Sequence, residues 1–260
     1  MLIKVVAVQS RMGSRLTLEE KLHIFRQKPD FVCLPEYCLM DESQADFARA
    51  ALNIKENLDY LRDLSLELDT CLIAGSVAEA DGEALYNSSY IFSRGNMVGR
   101  YRKLSPVQGE INKGILPGDK IFTANVEDLR IAVLICADAL NPSLFESLHD
   151  RDIDIIFIPT TSPYRPAERK AEKHRRDKTI YQQGSRKAGS YIVKVCGVGT
   201  LFGKPLQGRS LIASPWDVLK RIPEYAEQES ALLTALLDVK ELRDFRMKSK
   251  DAAERQNLAY

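Results

Sequence analysis

LRIAVLICAD, residues 129–138, is the stretch on which the reading of the fold turns. Five of the six residues from Ile131 to Cys136 are β-branched or aliphatic. That run is too short for a helix and suits a strand buried on both faces, the signature of a sheet covered by other layers. It ends on Cys136, and the chain then turns through Asp138 toward a helix beginning near Pro142. A cysteine at the carboxyl end of such a strand can present its sulfur above the sheet, with the backbone N–H groups of the next segment beside it. The ordinary reading of a lone cysteine is a buried structural thiol. The rest of the chain has to decide between the two.

Upstream, residues 2–9 (LIKVVAVQ) read as a first strand, and residues 16–26 as an amphipathic helix with Leu22 and Phe25 facing inward. DFVCLPEYC, residues 30–38, is a second strand closed by Pro35, which places Glu36 just past its end. Carboxyl ends of strands are where open α/β sheets carry chemistry. Residues 43–68 read as a long helix broken near Asn53, and residues 71–77 as a strand. Residues 85–93 and 97–101 alternate around Arg94-Gly95-Asn96 as a hairpin, and its second strand runs directly into Lys103. Residues 107–120 form a glycine-containing loop that carries Glu110.

Downstream of Cys136 come a short helix at 142–149 and a buried strand at 153–159, followed by Thr160-Thr161. Residues 165–189 are strongly basic. They read as a solvated helix face, with a local anionic substrate or a partner subunit as alternatives. Strands at 191–196, 209–213, 218–222 and 232–238 follow, and residues 240–260 read as a charged helical arm. No repeat or linker interrupts residues 1–260, which read as one domain.

The chain has 260 residues, 45% hydrophobic and 28% charged, with a net charge of +1, which suits a globular protein and gives no reason to expect nucleic acid or an anionic membrane as partner. No segment approaches the roughly 18 apolar residues of a membrane span, and MLIKVVAVQS lacks a cleavage site. Five scattered cysteines without a CxxC pair, far in sequence from the three histidines, argue for reduced thiols, a cytoplasmic protein and no metal site.

Glu36, Lys103 and Cys136 each follow a strand, in that order, and with this the sequence resembles the nitrilase superfamily of carbon–nitrogen hydrolases. The resemblance runs through VVAVQS (5–10), LPEY (34–37), YRKLSP (101–106), Gly109-Glu110, PGD (117–119), LICAD (134–138), GRSLIASPWDVL (208–219) and LLDV (236–239). It implies a four-layer α-β-β-α sandwich in which Glu36, Lys103 and Cys136 match the catalytic triad. Glu110 matches a second glutamate that orients the triad and substrate. It also implies a homodimer or higher homo-oligomer, no cofactor and a small-molecule amide as substrate.

The chemistry is consistent with that. An amide is a poor electrophile, so its hydrolysis needs a strong nucleophile, a proton shuttle and a donor to the developing oxyanion. Cys136, Glu36 and Lys103 supply these. Beyond Cys136 the run Ala137-Asp138-Ala139-Leu140-Asn141-Pro142 keeps only the acidic residue of the family pattern, so Asp138 is read as a structural acceptor. Thr160-Thr161-Ser162 stands where the family often has Asn-Pro-Ser, and residues there usually line the pocket. Ala137, Thr160 and Thr161 are therefore the substrate-binding candidates. The leading expectation is an amidase-type hydrolase working through a thioester. The alternatives are an N-carbamoyl or nitrile hydrolase with the same triad, a non-catalytic scaffold of the same fold, and a Cys-His protease using His149 or His174.

Overall fold

The structure, a computed structural model, describes residues 1–41, 43–44 and 46–257, with the backbone alone for 250–257. In chain order the elements are β1 (Leu2–Gln9), α1 (Leu18–Arg26), β2 (Phe31–Cys33), α2 (Phe47–Ala51), α3 (Ile54–Glu67), β3 (Cys71–Ile73), β4 (Val77–Asp81), β5 (Ala84–Ser93) and β6 (Asn96–Arg102). Then come α4 (Gln108–Ile111), β7 (Ile115–Leu116), β8 (Phe122–Val126), β9 (Leu129–Val133), a 3-10 turn (Cys136–Leu140), α5 (Pro142–His149) and β10 (Ile155–Thr160). The remainder is α6 (Lys170–Asp177), a π turn (Lys178–Gln182), α7 (Gln183–Ala188), β11 (Tyr191–Cys196), β12 (Thr200–Leu201), β13 (Lys204–Pro205), β14 (Leu211–Ala213), β15 (Val218–Arg221), β16 (Ala231–Asp238) and α8 (Val239–Asn257).

Two sheets result. One runs β16-β1-β2-β3-β5-β4, with β6 and β7 also paired to β5; the other runs β15-β14-β11-β10-β9-β8. Within β1 the alternation sorts side chains between two cores. Val5 and Ala7 face the second sheet, among Phe31, Ile131, Val133, Phe157 and Val193, while Val6 and Val8 pack with Ile24, Leu61, Leu64 and Leu68 of α1 and α3. Phe31 and Phe157 meet across the sandwich at 5.4 Å between ring centroids. Phe145 and Leu148 of α5 and Ala188 of α7 belong to the same core as the second sheet. The layers are therefore helix, sheet, sheet and helix, as the resemblance implies. Strands such as β2 and β3 are apolar on both faces because both are covered.

Several local expectations change in three dimensions. Leu22 and Phe25 are not inward-facing: they are 42% and 47% exposed, and Ile24 carries the packing of α1. Only a narrow stripe of this short helix reaches the sheet, so the apolar period overstates its buried face. Of residues 43–68, helix begins only at Phe47, behind an Asp46 cap, and restarts at Ile54. The strand expected over 71–77 divides into β3 and β4 around Gly75, which has φ +60°. The loop 107–120 contains α4 and β7. The run toward Cys136 leaves the sheet at Val133. The hairpin turn is Arg94-Gly95, both at positive φ, which fits the twist of a two-residue hairpin.

Residues 258–260 of the expected arm lie outside the described residues. The start of α8 is packed rather than free: Val239 and Leu242 are buried, and Arg243 and Arg246 bind the buried Asp154 at 2.8 and 2.7 Å. Among the described residues, no helix is long and apolar enough to cross a membrane.

Gly75 has a further consequence for the site. A β-carbon there would run into the Pro35 carbonyl oxygen, beside Glu36, and would also occupy a left-handed backbone conformation. Gly75→Ala is expected to cost about 2 kcal/mol or more. Thermal denaturation reads this as a lowered Tm, because the Pro35-Glu36 corner must move. An unchanged Tm would show that the corner tolerates the shift.

Candidate active site

Four side chains from four separate elements or strand ends converge at one end of the sandwich. Glu36 follows β2, at a corner where the Tyr37 N–H donates to Ser76 Oγ at 3.0 Å and Tyr37 itself takes φ +52°. Lys103 follows β6, with its N–H on Asn87 O at 2.9 Å and its carbonyl receiving the Gly118 N–H at 2.7 Å. Glu110 lies on α4, where its Oε2 caps the helix by accepting the Val107 N–H at 2.8 Å. Cys136 opens the 3-10 turn at φ +47°, a left-handed conformation that is strained for a residue with a side chain. Strain of this kind collects at functional sites.

Asp138 holds that turn to the Lys103 segment. It accepts the Ile135 N–H at 2.8 Å, the Ser105 N–H at 2.7 Å and the Tyr101 hydroxyl at 2.7 Å. It is a buried acceptor that joins the two strand ends flanking the site, as the sequence suggests. Burial raises its pKa, against the three donors and the charge of Lys103.

Lys103 is 1% exposed and bridges two carboxylates. Its ammonium donates to Glu36 Oε1 at 2.8 Å and to Glu110 Oε2 at 2.7 Å. Asn87 Nδ2 binds the same pair, 2.9 Å from Glu36 Oε1 and 2.9 Å from Glu110 Oε1, and the Tyr37 hydroxyl donates to Glu110 Oε1 at 2.7 Å. The other oxygen of Glu36 receives the N–H and hydroxyl of Thr161 at 2.8 and 2.5 Å. The Cys136 thiol donates to the Thr161 carbonyl at 3.3 Å, so Thr161 is a shared partner of the sulfur and of the Glu36 carboxylate.

The electrostatics follow from this packing. Burial alone would lower the Lys103 pKa, but the charges of Glu36, Cys136 and Glu110 raise it, so it stays an ammonium. Burial would raise Glu110, and Lys103 overrides that to hold it below the ordinary carboxylate range. The Cys136 thiol is pushed up, first by burial and then by the charge of Glu36, with Lys103 and the Thr161 contact opposing. A protonated thiol beside a carboxylate needs that carboxylate to remove its proton.

These groups open into a cavity of about 690 Å³ whose walls include Glu36, Lys103, Glu110 and Cys136. All three substrate-binding candidates, Ala137, Thr160 and Thr161, line it as well. Thr161 has the additional task of holding Glu36, while the Thr160 hydroxyl is turned to Ile158 O at 3.0 Å. Neither His149 nor His174 is among the lining residues, which removes the Cys-His arrangement. Among the described residues no group of three or more His, Cys, Asp or Glu is placed to hold a metal ion.

Sequence reasoning missed Asn87, Tyr37 and, on the far wall, Lys194 and Arg209. Asn87 had a usable signal, since asparagine is disfavoured within a strand. The segment 165–189 is not simply a solvated face: Arg165, Arg176, Ile180 and Tyr181 line the cavity.

The model of the carbon-nitrogen hydrolase family matches residues 7–247. The chain therefore belongs to the carbon-nitrogen hydrolase family, a class of hydrolases that act on C–N bonds through a nucleophilic cysteine. Among its relatives is a nitrilase of Pyrococcus abyssi, 27% identical over 221 residues, covering 78% of this chain and 76% of that protein. The omega-amidase NIT2 of Homo sapiens is 26% identical over 210 residues, covering 74% of this chain and 70% of that one. Among solved structures, the carbon-nitrogen hydrolase of Helicobacter pylori superposes with a TM-score of 0.81 at 18% identity, over 95% of this chain and 93% of that one.

Proposed function

We propose that this chain, acting as one domain over residues 1–260, hydrolyses a small non-peptide amide through a thioester on Cys136. The observation that carries this is the shared Lys103 ammonium. Two of its three protons are committed to Glu36 and Glu110. The third is available to a substrate oxygen in the cavity.

In this reading Glu36 takes the thiol proton as the Cys136 sulfur attacks the carbonyl carbon. The resulting oxyanion is held by Lys103 and the Ala137 N–H. Glu36 returns the proton to the leaving nitrogen as the C–N bond breaks, releasing ammonia or an amine and leaving the acyl group on sulfur. Water then attacks the thioester, giving its proton to Glu36. The tetrahedral species collapses to the carboxylic acid, and the sulfur leaves and is reprotonated by Glu36. Glu110 keeps Lys103 aimed, Asn87 bridges the two carboxylates, and Tyr37 holds Glu110.

The test is ammonia release from a panel of primary amides, N-carbamoyl compounds and nitriles, repeated with hydroxylamine present. Amide substrates should yield ammonia and, through interception of the thioester, a hydroxamate. Failure of the whole panel, together with no selective alkylation of Cys136 by iodoacetamide, would overturn the reading in favour of a scaffold.

Glu36→Gln separates the base from the thiol's reactivity. The substitution removes a charge that raises the Cys136 pKa and leaves Lys103 in place. The thiolate fraction at pH 7–9 should rise, and alkylation by iodoacetamide should become faster than in the unmodified enzyme. Amide hydrolysis should nevertheless fall about 10³-fold, within the usual range for loss of a general base. Slower alkylation with unimpaired hydrolysis would remove Glu36 from the mechanism.

A further inference from the structure

The cavity that holds Cys136 has a volume of about 690 Å³, the size of pockets that enclose drug-sized ligands and far more than a bare amide group fills. On the wall beyond Tyr181 the buried charges are met within the protein. Arg209 pairs with Asp177 at 2.7 Å, Lys194 lies 3.5 Å from the same carboxylate, and Arg176 pairs with Glu168.

What stands uncovered is apolar. Leu140 and Val107 both line the cavity, yet they are 64% and 45% exposed. Both are tied to the reacting groups by a few residues of backbone. Leu140 closes the 3-10 turn that Cys136 opens, and the Val107 N–H is the donor that Glu110 Oε2 accepts. An accessible apolar surface continuous with a polar site is the usual mark of a ligand-binding groove.

Phe202, in the turn between β12 and β13, lines the same cavity. It takes φ +49° and Gly203 takes φ +71°, the left-handed pair of a two-residue hairpin in which asparagine or glycine is the ordinary first residue. A bulky ring there costs backbone energy. It is nevertheless held from two sides, edge-on to Phe47 at 5.0 Å between centroids and beneath the Lys113 ammonium at 4.4 Å. Phe47 in turn stacks on Tyr37 at 4.9 Å, and the Tyr37 hydroxyl holds Glu110. The ring is thus fixed relative to the catalytic carboxylates.

The placement of the scissile bond decides which part of the substrate reaches this surface. The leaving nitrogen has to lie beside Glu36 to be protonated. Glu36 is 1% exposed, with its oxygens engaged by Lys103, Asn87 and Thr161. So enclosed a corner suits an unsubstituted nitrogen. The acyl group, which stays on the Cys136 sulfur, is left with the accessible side.

Resting on the proposed amide hydrolysis, we infer that Val107, Leu140 and Phe202 form an apolar subsite for the acyl group. The substrate is then the primary amide of an apolar carboxylic acid, with a side chain of butyl to benzyl size.

The experiment measures kcat/KM, by ammonia release, along the series acetamide, butyramide, pentanamide and hexanamide, with phenylacetamide added. A second arm measures amine release from N-alkyl acetamides of matching size. The expected result is a rise of about two- to fourfold per methylene in the first arm, the effect of withdrawing one methylene from water. The second arm should show no rise. Leu140→Ser and, separately, Val107→Ser should flatten the series, and both side chains are exposed enough for the fold to be kept. Phe202→Asn should flatten it too, since asparagine accepts the turn while removing the ring. Leu66→Ser, at an exposed leucine outside the cavity, should leave the series unchanged.

Calorimetric binding of hexanamide and acetamide to the Cys136→Ala protein keeps the two readings apart. Cys136-dependent ammonia release with a flat or falling series, or a rise confined to the N-alkyl arm, would overturn the subsite and leave the hydrolase. Tighter binding of hexanamide that is lost on Leu140→Ser, with no amide turned over, would support the subsite and remove the proposed chemistry.

Discussion

Cys136→Ala should lower amide hydrolysis by at least about 10⁴-fold while leaving the protein folded. The other cysteines, Cys33, Cys38, Cys71 and Cys196, are all buried, and none lines the cavity, so no second thiol can take over. What remains is water attacking an amide with help from Lys103 and the Ala137 N–H, without a covalent intermediate. Hydroxamate formation should vanish, since no thioester is left to intercept. Stability should barely change, because alanine meets the same positive φ that cysteine already occupies there. Cys136→Gly would go further, relieving roughly 1 kcal/mol or more of backbone strain and raising Tm. Steady-state ammonia assays and thermal denaturation on the three proteins check this. Residual activity within a hundredfold of the unmodified enzyme would place the nucleophile elsewhere.

Lys103→Met has the largest expected effect on stability. The ammonium is buried between two carboxylates that are themselves almost inaccessible, at side-chain exposures of 1% and 7%. Removing it leaves two uncompensated negative groups sharing Asn87, a loss in the class of broken buried ion pairs, about 3–5 kcal/mol. For a chain of this length that corresponds to a fall in Tm on the order of 10 °C.

The pH dependence has a definite sign. In the unmodified protein Glu110 is held below its ordinary pKa, chiefly by Lys103 against the effect of burial. Its contribution to stability is therefore present above the ordinary carboxylate range and is lost as pH falls through the lowered value. Without Lys103, burial acts on Glu110 unopposed, so the carboxyl prefers to be protonated and acid becomes favourable. The stability gap between the two proteins should narrow from pH 8 to pH 5. A gap that widened on acidification would mean that the ammonium is not what holds Glu110 ionised. Activity should fall by at least about a hundredfold, from loss of an oxyanion donor.

The mutual arrangement of Lys103, Glu110 and Asn87 illustrates what can and cannot be inferred from residue order. Lys103 was legible as a residue just past a strand end and Glu110 as a loop residue, but the role of each came from the resemblance of the surrounding motifs to the family. Asn87 lies inside an alternating strand, where an asparagine is out of place but nothing local says what it binds. It becomes a site residue only because β5 pairs with β6 and brings its side chain beside Lys103. Thr161 was legible as a pocket residue, but its grip on Glu36 spans 125 residues and depends on the two sheets packing face to face.

The basic segment at 165–189 divides between its two readings. Arg169, Lys170, Arg175, Lys178, Arg186 and Lys187 are exposed, as a solvated face would have them, while Arg165 and Arg176 also line the cavity, which residue order does not show. Leu22 and Phe25 failed for a related reason: apolar period reports which residues share a helix face, not how much of that face the sheet reaches.

From the amino-acid sequence alone came the layered α/β class, through runs such as LRIAVLIC that are apolar on both strand faces, and the candidate nucleophile, acid and ammonium at three strand ends. Those are local properties, set by residue type and backbone period. The tertiary structure decided which oxygen of Glu36 faces Lys103 and which faces Thr161, that Asn87 and Tyr37 complete the carboxylate pair, and that the far wall of the cavity is positive. Those depend on contacts between segments up to 125 residues apart, and such contacts exist only once the two sheets have closed on one another.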